Sequence, residues 1–278
     1  MALELDDRQR AMLEEMGVRV WLPGTAFATE AEPVPVRVAV AATAAPAAAV
    51  AQVPAARAVP ATPAVTAPTS SPVAPQVRSV DASGLEWDAL MQTVSGCQSC
   101  PLGAGRKNVT LQPPVQSQMD WMVVGDPPDE DEDRAGQPFA EAQGVLLDNM
   151  LKAVGASRAG QGVGGAYVTN VVKCRPPHGR VAQPADLAQC AGYLQREIAL
   201  VQPKMILAMG RFANQLLLAE TPELVNLPLG KVRGSVYRYQ GVPVVVTYHP
   251  KILMRNSADK AKAWADLCLA ADTVDARS

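Results

Sequence analysis

Apolar residues gather into four short runs in the second half of the chain, at 121–125, 166–172, 205–210 and 242–248. Short Val-, Ile- and Met-rich runs bounded by polar or glycine-bearing sequence predict strands buried on both faces. Between them the apolar spacing changes to that of helices. Leu146, Leu147, Met150, Leu151 and Val154 share one face over 143–154, and Leu187, Cys190, Ala191, Leu194, Ile198 and Val201 share one over 184–201. Strands alternating with helices predict an α/β domain of three layers, α/β/α, with a central, mostly parallel four-stranded sheet. Each predicted strand runs into unusual sequence: Gly125-Asp126-Pro127-Pro128, Asn170 with Lys173-Cys174-Arg175, Gly210-Arg211, and Tyr248-His249-Pro250. In such a sheet the crevice at the strand carboxyl ends binds ligands, so this chemistry is expected to converge on one edge.

The pattern fails over residues 33–80, which hold 16 Ala, 11 Val and 9 Pro but only three charges, Arg37, Arg57 and Arg78. Prolines spread this way forbid a long helix, and Ala, Val and Pro without periodicity give no face to bury. This stretch reads as an extended, semi-rigid linker. It divides the chain into a short segment, 1–32, the linker, and a globular domain, 81–278. In the first segment Asp6 or Asp7 can cap a helix carrying Met12, Leu13 and Met16, with Gly17 suited to its C-terminal cap. Too short to be stable alone, such a helix either docks on a partner or packs on its own domain.

Composition narrows the function classes. With 25 Lys+Arg against 27 Asp+Glu the formal net charge is −2, which excludes a generally basic nucleic-acid coat; any DNA contact is a local patch. No apolar run marks a membrane span, and the polar, acidic start is not a secretory signal, so a cytoplasmic protein is expected. Five Cys in a chain of 278 residues are not a disulfide scaffold. Cys97-Gln98-Ser99-Cys100 is one close pair, and Cys174 and Cys190 form a second. Four thiols in two groups suit either a structural Zn or a [4Fe–4S] cluster, and spacing alone does not separate these. The alternative is a set of unrelated buried thiols. Cys268 shares a helical apolar stripe with Trp264 and Ala271 and reads as core.

These residues together resemble a family-four uracil-DNA glycosylase, the iron–sulfur branch of that superfamily, from about residue 95 to 270. Gly125-Asp126-Pro127-Pro128-Asp129-Glu130-Asp131-Glu132-Asp133, continuing to Gly136-Gln137-Pro138-Phe139, is similar to the family's first motif. Thr169-Asn170-Val171-Val172-Lys173-Cys174-Arg175-Pro176-Pro177 is nearly identical to its second, and Thr247-Tyr248-His249-Pro250, followed by Ile252-Leu253-Met254-Arg255, resembles its last. Cys97, Cys100, Cys174 and Cys190 fall where the family places its cluster ligands.

The resemblance implies a monomeric repair enzyme that flips uracil out of DNA and hydrolyses its N-glycosidic bond. Phe139 would stack on the base, Asn170 would read its edge with both donor and acceptor, and His249 would donate to the oxygen on which charge develops. The backbone N–H at Asp126 would bind the same region. Residues 250–255, with Leu253, would form an apolar wedge in the minor groove. Arg175, Lys251 and Arg255 would meet phosphates, with Lys173, Arg180, Arg233, Lys260 and Lys262 as further candidates. Residues 12–21 are also similar to the segment by which the psi subunit of the bacterial replicase clamp loader holds chi. That implies a replisome partner for residues 1–32, and a nucleoid-associated location.

This chain departs from the family's first motif. Asp126 replaces a Glu, Pro127 a small residue and Asp129 a Gly, while Ala140-Glu141 stands where Val-Gly is usual. Proline removes an N–H donor, and a turn Gly can be replaced only where φ permits. These departures support a second reading, a replisome-tethered iron–sulfur DNA-binding protein of the same fold with lost or altered catalysis.

Overall fold

A computed structural model describes residues 79–278, apart from 115–117, 161, 178–179 and 278, together with Arg8 and Met12. The chain divides into two compact units, residues 1–20 with 76–278, and residues 21–75; the second lies wholly outside the described residues. The expected linker at 33–80, save its last two positions, and the docking segment at 1–32, save Arg8 and Met12, therefore lie outside them too. Met12 is half-buried against the domain's second apolar cluster.

Strands β1 (Met119–Gly125), β2 (Gly162–Asn170), β3 (Met205–Met209), β4 (Val236–Tyr239) and β5 (Val242–Thr247) form one sheet in the order β2-β1-β3-β5-β4. The first four in that order run parallel and β4 is antiparallel to β5. The sheet thus has five strands where the sequence predicted four. β4 closes a two-residue hairpin through Gln240 and Gly241, both at positive φ (48° and 82°), as a primed turn requires.

Every residue of β1 and β3 is buried, which explains their continuous apolar sequence. Alternate residues feed two cores. Met122, Val124, Ile206, Ala208, Val244 and Val246 pack with helices α1 (Trp87–Gly96), α4 (Pro184–Val201) and α5 (Arg211–Leu217). Trp121, Val123, Leu207, Met209 and Val245 pack with α3 (Glu141–Ala153), α6 (Pro250–Arg255) and α7 (Lys260–Asp275). The remaining labelled helix, α2 (Glu130–Ala135), follows β1 directly. None of the described helices is long and apolar enough to cross a membrane.

Register levels the strand ends. Gly125 lies opposite Asn170 in β2 and Met209 in β3, and Met209 lies opposite Thr247 in β5. The segments that follow all leave the sheet from this edge, so the predicted convergence is present.

Candidate base-binding site and thiol cavity

β1 ends at Gly125, where Phe139 and His249 occupy the space that a side chain would need. A Cβ there would meet Phe139 Cζ and Cε2 at 2.5 and 2.6 Å and His249 Nε2 at 3.5 Å. The Phe139 ring rests on that bare backbone, 1% exposed, and stacks on the His249 imidazole with centroids 4.9 Å apart and planes 13° from parallel. Phe139 holds φ = 50°, an uncommon conformation for a bulky side chain. Its N–H donates to Glu132 Oε1 at 2.7 Å, and its carbonyl accepts from Arg158 at 3.4 Å. Arg158 is itself held in a two-pronged pair with Asp148, both contacts 2.6 Å.

Asn170 is fully buried at the end of β2. Its Nδ2 donates to the Asp126 carbonyl at 2.9 Å and to Glu132 Oε1 at 3.0 Å, while its Oδ1 has no partner. The expectation that this amide offers both a donor and an acceptor therefore needs correcting. Both N–H groups are consumed inside the protein and only the acceptor is left.

His249 lies two residues past β5 and caps α6, its Nδ1 accepting from the Lys251 N–H at 3.3 Å. An accepting Nδ1 leaves the proton on Nε2, the nitrogen beside Gly125. Burial, with help from the Lys251 charge and against the pull of Asp129, drives the imidazole pKa down to about 3. His249 is thus a neutral N–H donor at any working pH.

The six carboxylates of the first motif, crowded into eight residues of the sequence, take different tasks. Asp126 turns away from the aromatic pair. Its Oδ1 accepts from the N–H groups of Phe212 and Ala213 at the start of α5, at 2.7 and 3.3 Å. Burial raises its pKa to about 6 against these hydrogen bonds. Asp129 has φ −94°, so the loss of a glycine there carries no strain, and its side chain joins Glu132 in a capping box at the head of α2. Asp133 Oδ1 accepts from the N–H groups of Lys107 and Asn108. Glu130 and Asp131 pair with Arg134 at the surface. The departure that does store strain is Glu141, at φ = 54°.

Most predicted phosphate contacts are already engaged. Lys251 pairs with Asp129 and Glu132, and Arg175 pairs with Glu130 at 3.2 Å. Arg180 Nη2 donates to both oxygens of Asp186, and Arg233 is bidentate on Asp266 through Nε and Nη2. Lys262 reaches Asp259. Lys173 is buried beside Glu197 and is no surface cation. Arg255 and Lys260 lie on α6 and α7, the first exposed and the second half-buried. Leu253 is fully buried in the α3/α6/α7 core, so it is not the wedge expected from the sequence; Ile252 and Met254 beside it are 40% and 47% exposed.

Cys97, Cys100, Cys174 and Cys190 line one small cavity of about 20 Å³ between α1, α4 and the turn after β2. None is in a disulfide. Arg106 Nη1 donates to Cys174 Sγ at 3.1 Å. Burial pushes the Cys190 thiol up to about 12, opposed by the Lys173 charge and N–H, and burial also raises Cys174 and Cys100. Among the described residues no three His, Cys, Asp or Glu are grouped as around one metal ion.

Residues 113–268 match the family model of the Uracil DNA glycosylase superfamily. The chain is 34% identical to a type-4 uracil-DNA glycosylase of Pyrobaculum aerophilum, over 66% of this chain and 93% of that protein. It is 33% identical to one of Archaeoglobus fulgidus (60% and 82%) and 32% to one of Thermotoga maritima (63% and 86%).

Proposed function

Because the chain belongs to the uracil-DNA glycosylase superfamily, and within it to the type-4 enzymes, we propose that it excises uracil from DNA with the side chains gathered at Gly125. The enzyme is a DNA-repair hydrolase: the bond between uracil N1 and the sugar C1′ breaks, water adds at C1′, and an abasic site remains. One observation carries the assignment of residues. The amide that carries the buried, unpartnered Asn170 Oδ1 shares Glu132 Oε1 with the Phe139 backbone N–H, and the Phe139 ring stacks on the neutral imidazole of His249. An acceptor suits the N3–H of uracil, and an uncharged N–H donor suits the oxygen that gains charge as uracil departs as an anion. The base stacks on the Phe139 ring.

Incubating the purified protein with a uracil-containing oligonucleotide, then alkali, is expected to give strand breaks at uracil alone. Intact strands under conditions where the DNA is bound would instead support the tethered, catalytically altered reading.

Asp126 anchors the turn through α5 rather than touching the base, and its carbonyl holds Asn170. Since its folded value lies near 6, above the ordinary 3.8, the carboxylate takes up a proton as pH falls through 6. We expect excision to drop along a one-proton limb there, and Asp126→Asn to abolish the limb. His249 titrates too low to produce it. A limb unchanged in the variant would assign it to another group.

For DNA contact the supporting features are the exposed Ile252 and Met254 on α6 as the wedge, with Arg255 next to them and Arg175 at the mouth of the second motif.

We assign the thiol cavity to a [4Fe–4S] cluster rather than zinc. The donors fit: four thiols line one small cavity, with the Arg106 and Lys173 cations beside them to offset thiolate charge. When bound, the group supplies an inorganic brace between α1, α4 and the turn 171–174 that follows Asn170. Chemical analysis of anaerobically purified protein is expected to find about four iron and four sulfide per chain, both lost in Cys174→Ser. Stoichiometric zinc without sulfide would reverse the assignment.

A further inference from the structure

We propose that Glu132 determines which base the site accepts, by holding the Asn170 amide in a single orientation. The inference rests on Asn170 being the residue that reads the base.

Glu132 is fully buried, and its carboxylate joins all three motifs. Oε1 accepts from Phe139 N at 2.7 Å and Asn170 Nδ2 at 3.0 Å. Oε2 accepts from Asp129 N at 2.9 Å and lies 3.5 Å from the Lys251 ammonium, two residues past His249. A side-chain amide can be turned over at almost no cost in shape, exchanging its donor for its acceptor. Here the exchange is blocked. Turned over, Asn170 Oδ1 would face the Glu132 carboxylate and the Asp126 carbonyl, acceptor against acceptor in a dry interior, with both N–H bonds lost.

The Asp126 carbonyl alone leaves one amide N–H unassigned; Glu132 takes it. The amide therefore presents only Oδ1 to the base, which matches the N3–H of uracil and opposes the N3 lone pair of cytosine. Glu132 is a positioning residue: it touches no base, and acts through Asn170 and through the backbone of Phe139.

Glu132→Gln tests this because it preserves shape while supplying an N–H that a turned-over Asn170 Oδ1 can accept. Excision is measured on single-stranded oligonucleotides carrying uracil or cytosine, so that base-pair opening does not enter. The expected result is a fall in kcat/KM for uracil of roughly 10- to 100-fold, and a collapse of the uracil-to-cytosine ratio by at least that factor. A purely structural role would lower both substrates alike, and an unchanged ratio in a variant that melts normally overturns the proposal.

Asn170→Ala separates this outcome from failure of the underlying reading. If that variant keeps full uracil excision, Asn170 reads nothing; if it loses excision while Glu132→Gln keeps its preference, only the role of Glu132 falls. Should Glu132→Gln not fold, the wild-type protein decides. The Asn170 side-chain amide protons, followed in a ¹⁵N–¹H spectrum, are expected to exchange slowly with solvent, and rapid exchange of either overturns the proposal.

Discussion

Replacing His249 with alanine lowers uracil excision by about 10²-fold or more, the usual cost of losing one donor aimed at developing negative charge. The magnitude follows from burial and protonation together. The imidazole is 4% exposed, neutral, and has Nδ1 occupied by the Lys251 N–H, so its remaining N–H has a fixed direction in a place without competing water. Binding should change little, because charge on the uracil oxygen appears only as the bond breaks. The loss therefore belongs in kcat, and a loss confined to KM would make His249 a binding group.

The same substitution has a stability signature with a definite sign. The folded pKa of about 3 lies below the ordinary 6.5, so on acidification the unfolded chain takes up a proton before the folded one does. Ionised His249 is a cost of folding, and stability from this source falls as pH drops from 6.5 towards 3. Asp126 works in the opposite direction: its raised value makes the folded state bind the extra proton between about 4 and 6. Removing His249 removes the first effect and leaves the others in place, so the variant's melting temperature should decline less between pH 7 and pH 4.5 than the wild type's. An identical decline would show that His249 is not held neutral in the fold.

The parallel strands were legible because burial on both faces leaves them no polar positions, and such runs end abruptly. β4 was not, since an edge strand with one wet face alternates: Val236 and Arg238 are exposed and Tyr239 is buried, and nothing in four residues distinguishes that from a loop. The thiols and Asn170 stood out by type and spacing. Partners did not. Lys173 reads as a phosphate contact until Glu197, on a different element, is found beside it with Tyr167 donating to the same carboxylate. Glu132 is one acid in a run of five, and only the folded chain shows that it faces inward. Leu253 was misassigned because three consecutive apolar residues on a one-and-a-half-turn helix fit a wedge in any phase. Which of them points outward is set by packing against α3 and α7.

The aromatic pair is seated by the atom Gly125 lacks. In Gly125→Ala the new Cβ overlaps the Phe139 ring edge at 2.5 Å, closer than real Cβ contacts come. The ring has no retreat. Its N–H is tied to Glu132, its carbonyl accepts from Arg158, and Phe139 already holds a left-handed φ. The ring must therefore tilt off β1, taking the stacked imidazole with it. A displacement on the order of 1 Å at the reacting groups is enough for a loss of roughly 10²-fold, so excision should fall at least that far. Overpacking a well-filled core costs about 1–3 kcal/mol, so the variant should still fold, with a lowered melting temperature. Gly96→Ala is the matching control, as a Cβ at the end of α1 meets nothing within 4 Å and should leave both quantities unchanged. Wild-type excision by Gly125→Ala would mean that Phe139 can leave its seat without consequence, and that the ring does not form the floor on which the base is held.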